Sequence, residues 1–301
     1  MTALRVLVLH NPTAGDEEHS RDSLHRVLDD AGHDVVVRSL KEPGWEGAMD
    51  RGADLVVAAG GDGTVRKVFR ELAGKNVQVT ILPLGSANNI ARSLGFEVDD
   101  PGRLVKGWAA ARPQRYDIPT LSHRKDKTPF VESAGAGLFA DIIARAEEDE
   151  SGDDDKVATG LRMLLESIEA GPLFPITFEL DGERWSDEVA GVELMNVSYA
   201  GPQIPLAPAA DPGDGALDVV HISADDARHL RDYAEARLAG DRSEPPKLQV
   251  RRATQAAVEV PAGCRVHVDD EVRPPDRRGE VVRAGLAAQV RILIPPGPGG
   301  A

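Results

Sequence analysis

Residues 60 to 64 read Gly-Gly-Asp-Gly-Thr, one carboxylate set among three glycines. Gly60, Gly61 and Gly63 carry no Cβ, so the backbone there is free to take positive φ and a phosphate group can approach the main-chain N–H groups closely. Beyond the turn, Val65, Val68, Phe69, Leu72 and Ala73 recur at helical spacing, with Thr64 suited to the N-cap. A helix N-terminus adds donors and a dipole that favours an anion. Arg66 and Lys67 then fall in the first turn, where cations are unfavourable until a bound polyanion reverses the sign. Asp62 would repel the same phosphates unless it holds a divalent ion or faces the group that receives a phosphoryl. The pattern also fits a tight βα turn whose glycines serve packing, with Asp62 capping the helix.

Two other segments carry the same kind of chemistry. Asn11-Pro12-Thr13-Ala14-Gly15 follows the first apolar run, and "PLGSANNIARSLG" (83–95) follows the fourth. Asn11, Ser86 and Asn88 are small donors suited to phosphate or ribose, and equally suited to capping their own helices. Something must bring three such turns together. The runs 4–9, 34–39, 54–59 and 77–82 are short and rich in Val, Ile and Leu, as buried parallel strands are. Polar stretches of helical length lie between them, such as 17–31 with Leu24, Val27, Leu28 and Ala31 at helical spacing. This predicts an α/β domain over 1–113 that binds its ligand at the carboxyl edge of the sheet. From 114 to 296 short strands with turn signals predict a mainly-β domain, including "ITFELDGERW", "LDVVHIS", "CRVHVDDE" and "QVRILI". Helices are expected at 161–170 and 224–240, a last strand that returns to the first domain, and a tail at 297–301.

Composition narrows the function. The chain has 301 residues, 41 % apolar and 28 % charged, the mixture of a soluble globular protein large enough for two cores. Aromatics are only 4 %, and 50 acidic residues face 35 basic ones, which argues against a nucleic-acid partner. A net charge of −15 repels anionic phosphates and lipid surfaces, so such a ligand needs local donors or a bridging cation such as Mg²⁺. The N-terminal apolar run lacks a signal peptide's h-region and cleavage site, and no run reaches the roughly 18 residues of a membrane span. Cys264 is the single cysteine, so no internal disulfide forms, and the location expected is cytoplasmic. The acidic run 147–155 and the basic turn 122–127 read as solvated loops.

Together "NPTAG", "GGDGT" and "PLGSANNIARSLG" resemble the nucleotide-binding segments of the bacterial diacylglycerol kinase-like lipid kinases, a family that includes sphingosine and ceramide kinases. "RYDIP" (115–119), "GLFAD" (137–141), "APAADPGDGALDVV" (207–220) and "HVDDE" (267–271) follow in the family's order, so the likeness spans essentially the whole chain. The resemblance implies an N-terminal α/β domain related to phosphofructokinase and NAD kinase, a C-terminal β-sandwich, and an active site in the cleft between them. It implies ATP phosphates held by Asn11, Pro12, Thr13 and Gly15 and by Gly61 to Thr64, with Ser86 near the nucleotide and Asp117 in the cleft. Asp214 matches a structural Mg²⁺ ligand, with carbonyls near Asp211 and Ala216 completing the site. Asp269 and Glu271 match carboxylates proposed as the base, beside Asp62 organising Mg²⁺ and the nucleophile.

The implied reaction is phosphorylation of a lipid alcohol such as diacylglycerol, with transient membrane contact and, as often in the family, a homodimer. The chain departs from the family at Arg66-Lys67 (usually Asn-Glu), Ser86 (Thr), Asn88-Asn89-Ile90 (Asn-Asp-Phe) and Asp270 (Gly). An NAD kinase-like enzyme is one alternative, although the Asn-Glu pair that such enzymes use is absent. A catalytically inactive nucleotide- or lipid-binding regulator is another, suggested by Lys67.

Overall fold

The structure, a computed structural model, describes residues 3–11, 25, 28–29, 32–96, 101–123, 125–149, 155–241 and 244–295. The chain forms two compact units, Met1–Ile118 with Ala288–Ala301, and Pro119–Ala287.

In the first unit, strands β1 (Arg5–His10), β2 (Asp34–Ser39), β3 (Leu55–Gly60) and β4 (Gln78–Pro83) form a parallel sheet in the order β2-β1-β3-β4. Each lies within one residue of the apolar run that predicts it. Every residue of β3 is buried, which is why its sequence is a continuous apolar run rather than an alternating one. Helix α1 (Asp62–Leu72) buries Val65, Val68, Phe69 and Leu72, the stripe read from the sequence. Short helices α2 (Asn89–Ser93) and α3 (Pro101–Gly107) follow. Of the helix expected over 17–31, His25, Leu28 and Asp29 are helical, and Leu28 is fully buried. Leu24, Val27 and Ala31 lie outside the described residues.

The second unit is a β-sandwich with helices on one outer face. Its strands are β5 (Arg112–His123, entering from the first unit), β6 (Asp126–Pro129), β7 (Ser133–Gly137), β8 (Phe174–Leu180), β9 (Glu183–Val189), β10 (Gly191–Met195), the two-residue pair β11 (Tyr199–Ala200) and β12 (Ile204–Pro205), β13 (Leu217–Ile222), β14 (Gln249–Ala253), β15 (Gln255–Val260), β16 (Val266–Val268), β17 (Glu271–Arg273) and β18 (Glu280–Ile294). One sheet is antiparallel in the order β14-β13-β10-β7-β16-β17. The other joins β9, β8, β15 and the first half of β18.

Period-2 alternation builds this core. Ala134, Ala136, Val192, Leu194, Val266 and Val268 of one sheet pack against Ile176, Phe178, Val258, Val282 and Ala284 of the other. The opposite face of the first sheet is covered by α4 (Leu138–Glu148), α5 (Lys156–Ala170) and α6 (Ala224–Leu238), which bury Leu138, Phe139, Leu161, Leu164 and Leu230 against Val220 and Ile222. Asp155, at the end of the acidic run, caps α5 by accepting from the Ala158 N–H. Among the described residues no helix is long and apolar enough to cross a membrane.

The last stretch of β18 belongs to the first unit, where Arg291 and Ile292 pair in parallel with Gln78 and Val79 of β4. The fully buried Thr80 hydroxyl donates to the Leu293 carbonyl at 2.8 Å and ties the two strands. Thr80→Val keeps the shape and leaves that carbonyl without the bond. We expect it to lower unfolding stability by about 1–2 kcal/mol, read from urea denaturation of the purified protein.

Candidate active site

The parallel register places His10 beside Ala59 and Gly60 beside Pro83, so the segments after β1, β3 and β4 leave the same edge of the sheet. Asn11 is half-buried there, while Pro12, Thr13 and Gly15 lie outside the described residues. The other two tips touch. A Cβ on Gly85 would lie 2.4 Å from the Gly61 Cα, and one on Gly60 would lie 2.3 Å from the Thr64 hydroxyl oxygen. None of Gly60, Gly61 and Gly63 takes positive φ, and Gly61 sits at φ −83°. The expectation of left-handed backbone is therefore corrected. These glycines serve close approach, of Gly85 to Gly61 and of Thr64 to Gly60.

Asp62 joins the two turns. Its carboxylate accepts from the Asn89 and Ile90 N–H groups, each at 3.0 Å, and so caps α2, a different helix from the one it begins. Asn88, at the N-cap position of α2 with φ 52°, does not cap it; its side chain accepts from the Gly85 N–H at 3.0 Å and donates to the Gly85 carbonyl at 2.6 Å. Asn88 thus shapes the 84–88 turn.

The start of α1 is corrected too. The helix begins at Asp62 with Gly61 as N-cap, so Thr64 is a buried helical residue, and Arg66 and Lys67 lie in the second turn. Burial pushes the Asp62 pKa up, against the Ile90 and Asn89 amides and the charge of Arg66. Each of its oxygens accepts one amide, which gives Asp62 a structural role in joining the two turns.

The turn still fits an anion. A Cβ at Gly63 would meet nothing nearer than Arg66 Nη2 at 3.5 Å, which leaves an open face beside a guanidinium at a helix N-terminus. Ser86 is exposed at the neighbouring tip. Asp117, also in this unit, is buried with Arg115 Nη2 at 3.5 Å.

In the second unit, Asp269 is the first residue of a two-residue hairpin turn, Asp269–Asp270, and Glu271 is the residue that follows it at the start of β17. Asp269 is buried at φ 52°, and its carboxylate accepts from the Val131, Glu132 and Ser133 amides at 2.8 to 3.3 Å. Its own N–H donates to the Ser133 carbonyl at 2.8 Å. The Asp269 carboxylate is thus turned toward backbone amides, whereas Glu271 is exposed.

The expected metal ligands make contacts within the chain. Asp211 accepts from the Gly213 N–H at 2.9 Å, and Asp214 accepts from the Ala216 N–H at 3.0 Å while pairing with Arg252. Nearby Asp218 has its pKa raised by burial and, against Arg252, by Asp214 and Asp211. The cation facing this carboxylate group is Arg252, and among the described residues no three or more His, Cys, Asp or Glu side chains are placed to hold a metal ion. Sequence reading also missed a buried His267–Glu193 pair behind the Asp269 turn, whose members are 74 residues apart and share no local signal.

Residues 5–121 match the family profile described as the diacylglycerol kinase catalytic domain, and 163–285 match the YegS C-terminal NAD kinase beta sandwich-like domain. A protein named probable lipid kinase YegS-like from Pseudomonas aeruginosa is 32 % identical over 225 residues, covering 71 % of this chain and 70 % of that one. The chain belongs to the YegS-like lipid kinase family. It is accordingly an ATP-dependent kinase, as the three turn segments imply. A diacylglycerol kinase from Mycobacterium tuberculosis is 25 % identical over 76 % of this chain and 74 % of its own. The crystal structure of a diacylglycerol kinase from Bacillus anthracis superposes with TM-score 0.66 at 20 % identity, covering 98 % of each chain. Yeast NADH kinase does so at 0.51 and 10 %, covering 98 % of this chain and 84 % of that one. These two structures show a shared fold, the lipid kinase and NAD kinase architecture expected of the sequence.

Two substitutions probe the turns. Gly85→Ala drives a methyl into the Gly61 backbone, which has no side chain to yield, and should cost about 1–3 kcal/mol in denaturant melts and weaken ATP binding in calorimetry. Asp62→Asn turns one acceptor oxygen into a donor facing an amide N–H. The expected loss is again about 1–3 kcal/mol, with the Asn89 and Ile90 amides exchanging faster with solvent in NMR.

Proposed function

We propose that the protein transfers the γ-phosphoryl group of Mg·ATP to the hydroxyl of a diacylglycerol-like lipid. The observation that carries this reading is the backbone contact between Gly61 and Gly85 at the carboxyl edge of the parallel sheet, beside an open helix N-terminus. Two amide-rich turns held that closely suit a polyphosphate rather than a single small anion. The nucleotide would be held by Asn11 to Gly15 and Gly61 to Thr64, with Ser86 near it. Glu271 is the base: as the acceptor oxygen bonds to phosphorus and the β,γ-bridging bond breaks, the acceptor's proton passes to the Glu271 carboxylate. Positioning and charge neutralisation supply most of the acceleration in such a transfer, with magnesium entering as part of the nucleotide substrate.

A lipid acceptor is favoured because relatives along most of the chain are named lipid or diacylglycerol kinases. With a net charge of −15, docking of this cytoplasmic protein on an anionic membrane is transient. The regulator alternative rests on Lys67, which is exposed on α1 where the family carries an acid.

The test is transfer of labelled phosphate from ATP with Mg²⁺ to a panel of lipids, with NAD included, in mixed micelles. Label should enter a lipid, and Glu271→Ala should slow transfer by about 10²- to 10⁴-fold while ATP binding persists. Wild-type rates in Glu271→Ala would remove Glu271 as the base. Tight Mg·ATP binding with no lipid labelled would favour the regulator, and label in NAD the NAD kinase-like enzyme.

A further inference from the structure

The corner that carries Glu271 is backed by a pair reaching across an intervening strand. His267 of β16 lies opposite Gly135 of β7, and Gly135 lies opposite Glu193 of β10. Opposed residues share a face of a sheet, so with no side chain on the middle strand His267 and Glu193 meet over it. His267 Nε2 is 3.0 Å from each Glu193 carboxylate oxygen. A Cβ on Gly135 would lie 2.2 Å from Glu193 Oε1, so the glycine makes the pair possible. Both side chains are about 1 % exposed.

The other ring nitrogen fixes the chemistry. His267 Nδ1 is 2.9 Å from the Asp269 carbonyl oxygen, which can only accept, so Nδ1 carries a proton. A second proton lies between Nε2 and Glu193, and every polar atom of the ring is bonded. Asp269, in left-handed backbone, is thereby held through its carbonyl by His267, through its N–H by Ser133, and through its carboxylate by three amides. A buried charge pair is a poor source of net stability compared with apolar packing, which points to a role in placing the corner.

We propose that the His267–Glu193 pair is a positioning device for Glu271: it locks the Asp269 turn, and breaking it slows the chemical step without weakening nucleotide binding. This rests on the reading of Glu271 as the base. The charged groups on the surrounding elements are otherwise engaged. Asp141 of α4 bonds Arg145 and Arg265, Arg273 of β17 bonds Thr128, and Asp218 of β13 faces Arg252. Burial opposes charge on His267, but Glu193, by charge and hydrogen bond, and then Asp269 outweigh it and raise its pKa. Stability from a raised histidine pKa is present below the unfolded value of about 6.5 and lost as pH rises through the folded one.

His267→Gln and Glu193→Gln in the full chain provide the test, the second preserving shape and hydrogen-bonding reach should the first fail to fold. Exchange of the Glu132 and Ser133 amides should quicken roughly tenfold, and kcat should fall roughly tenfold with KM for ATP unchanged. The melting-temperature advantage of wild type over Glu193→Gln should be full at pH values below the unfolded histidine pKa of about 6.5 and shrink as pH rises above it. Wild-type exchange in a folded variant overturns the inference, as does quickened exchange with wild-type kcat. A wild-type protein that labels no lipid sinks the reading of Glu271 instead, and the exchange measurement then decides whether the pair locks the turn.

Discussion

The Asp62 carboxylate accepts the amides of Asn89 and Ile90, and the carboxyl edge of the parallel sheet in the first unit depends on that bridge. It fastens the turn after β3 to the turn after β4 at a separation that only paired glycines permit, with Gly61 against Gly85. The bridge also relieves α2 of a need for its own cap, which frees the Asn88 side chain to close the 84–88 turn on Gly85. Burying a carboxylate here is unfavourable, as its raised pKa records, and the two amides and Arg66 are what offset it. Rigidity at this edge is thus built from one charged acceptor and the absence of side chains.

The second unit uses the same device on a sheet. Gly135 leaves a gap in β7 through which His267 and Glu193 meet, and Asp269 gathers three amides of the segment leading into that strand. In both units a carboxylate that resembles a catalytic group in the sequence is the one that organises backbone amides. Nearby, Ser86 in one unit and Glu271 in the other are exposed.

Membership of the lipid kinase family and the fold are consistent with a reaction that needs little covalent chemistry. Phosphoryl transfer is served by fixed donors and a placed proton acceptor, so a scaffold devoted to holding turns is suited to it. Arg66, beside Asp62 and the open Gly63, gives this chain a cation at the turn.

The sequence by itself determined the four parallel strands of the first unit and several of the second, because continuous apolar runs and period-2 alternation state which faces are buried, and it determined the stripe of α1; it named no strand at β5, β6 or β7. It overlooked α4, whose apolar residues crowd its first turn before a charged stretch, and it misplaced the start of α1 by reading Thr64 as the cap. Only the tertiary structure decided what the carboxylates do. Asp62 meets Asn89 and Ile90, 27 and 28 residues on, and Asp269 meets Val131, 138 residues back. A local pattern shows that a side chain can accept a hydrogen bond, but the donor is chosen by strand order and register, which bring distant backbone amides to it.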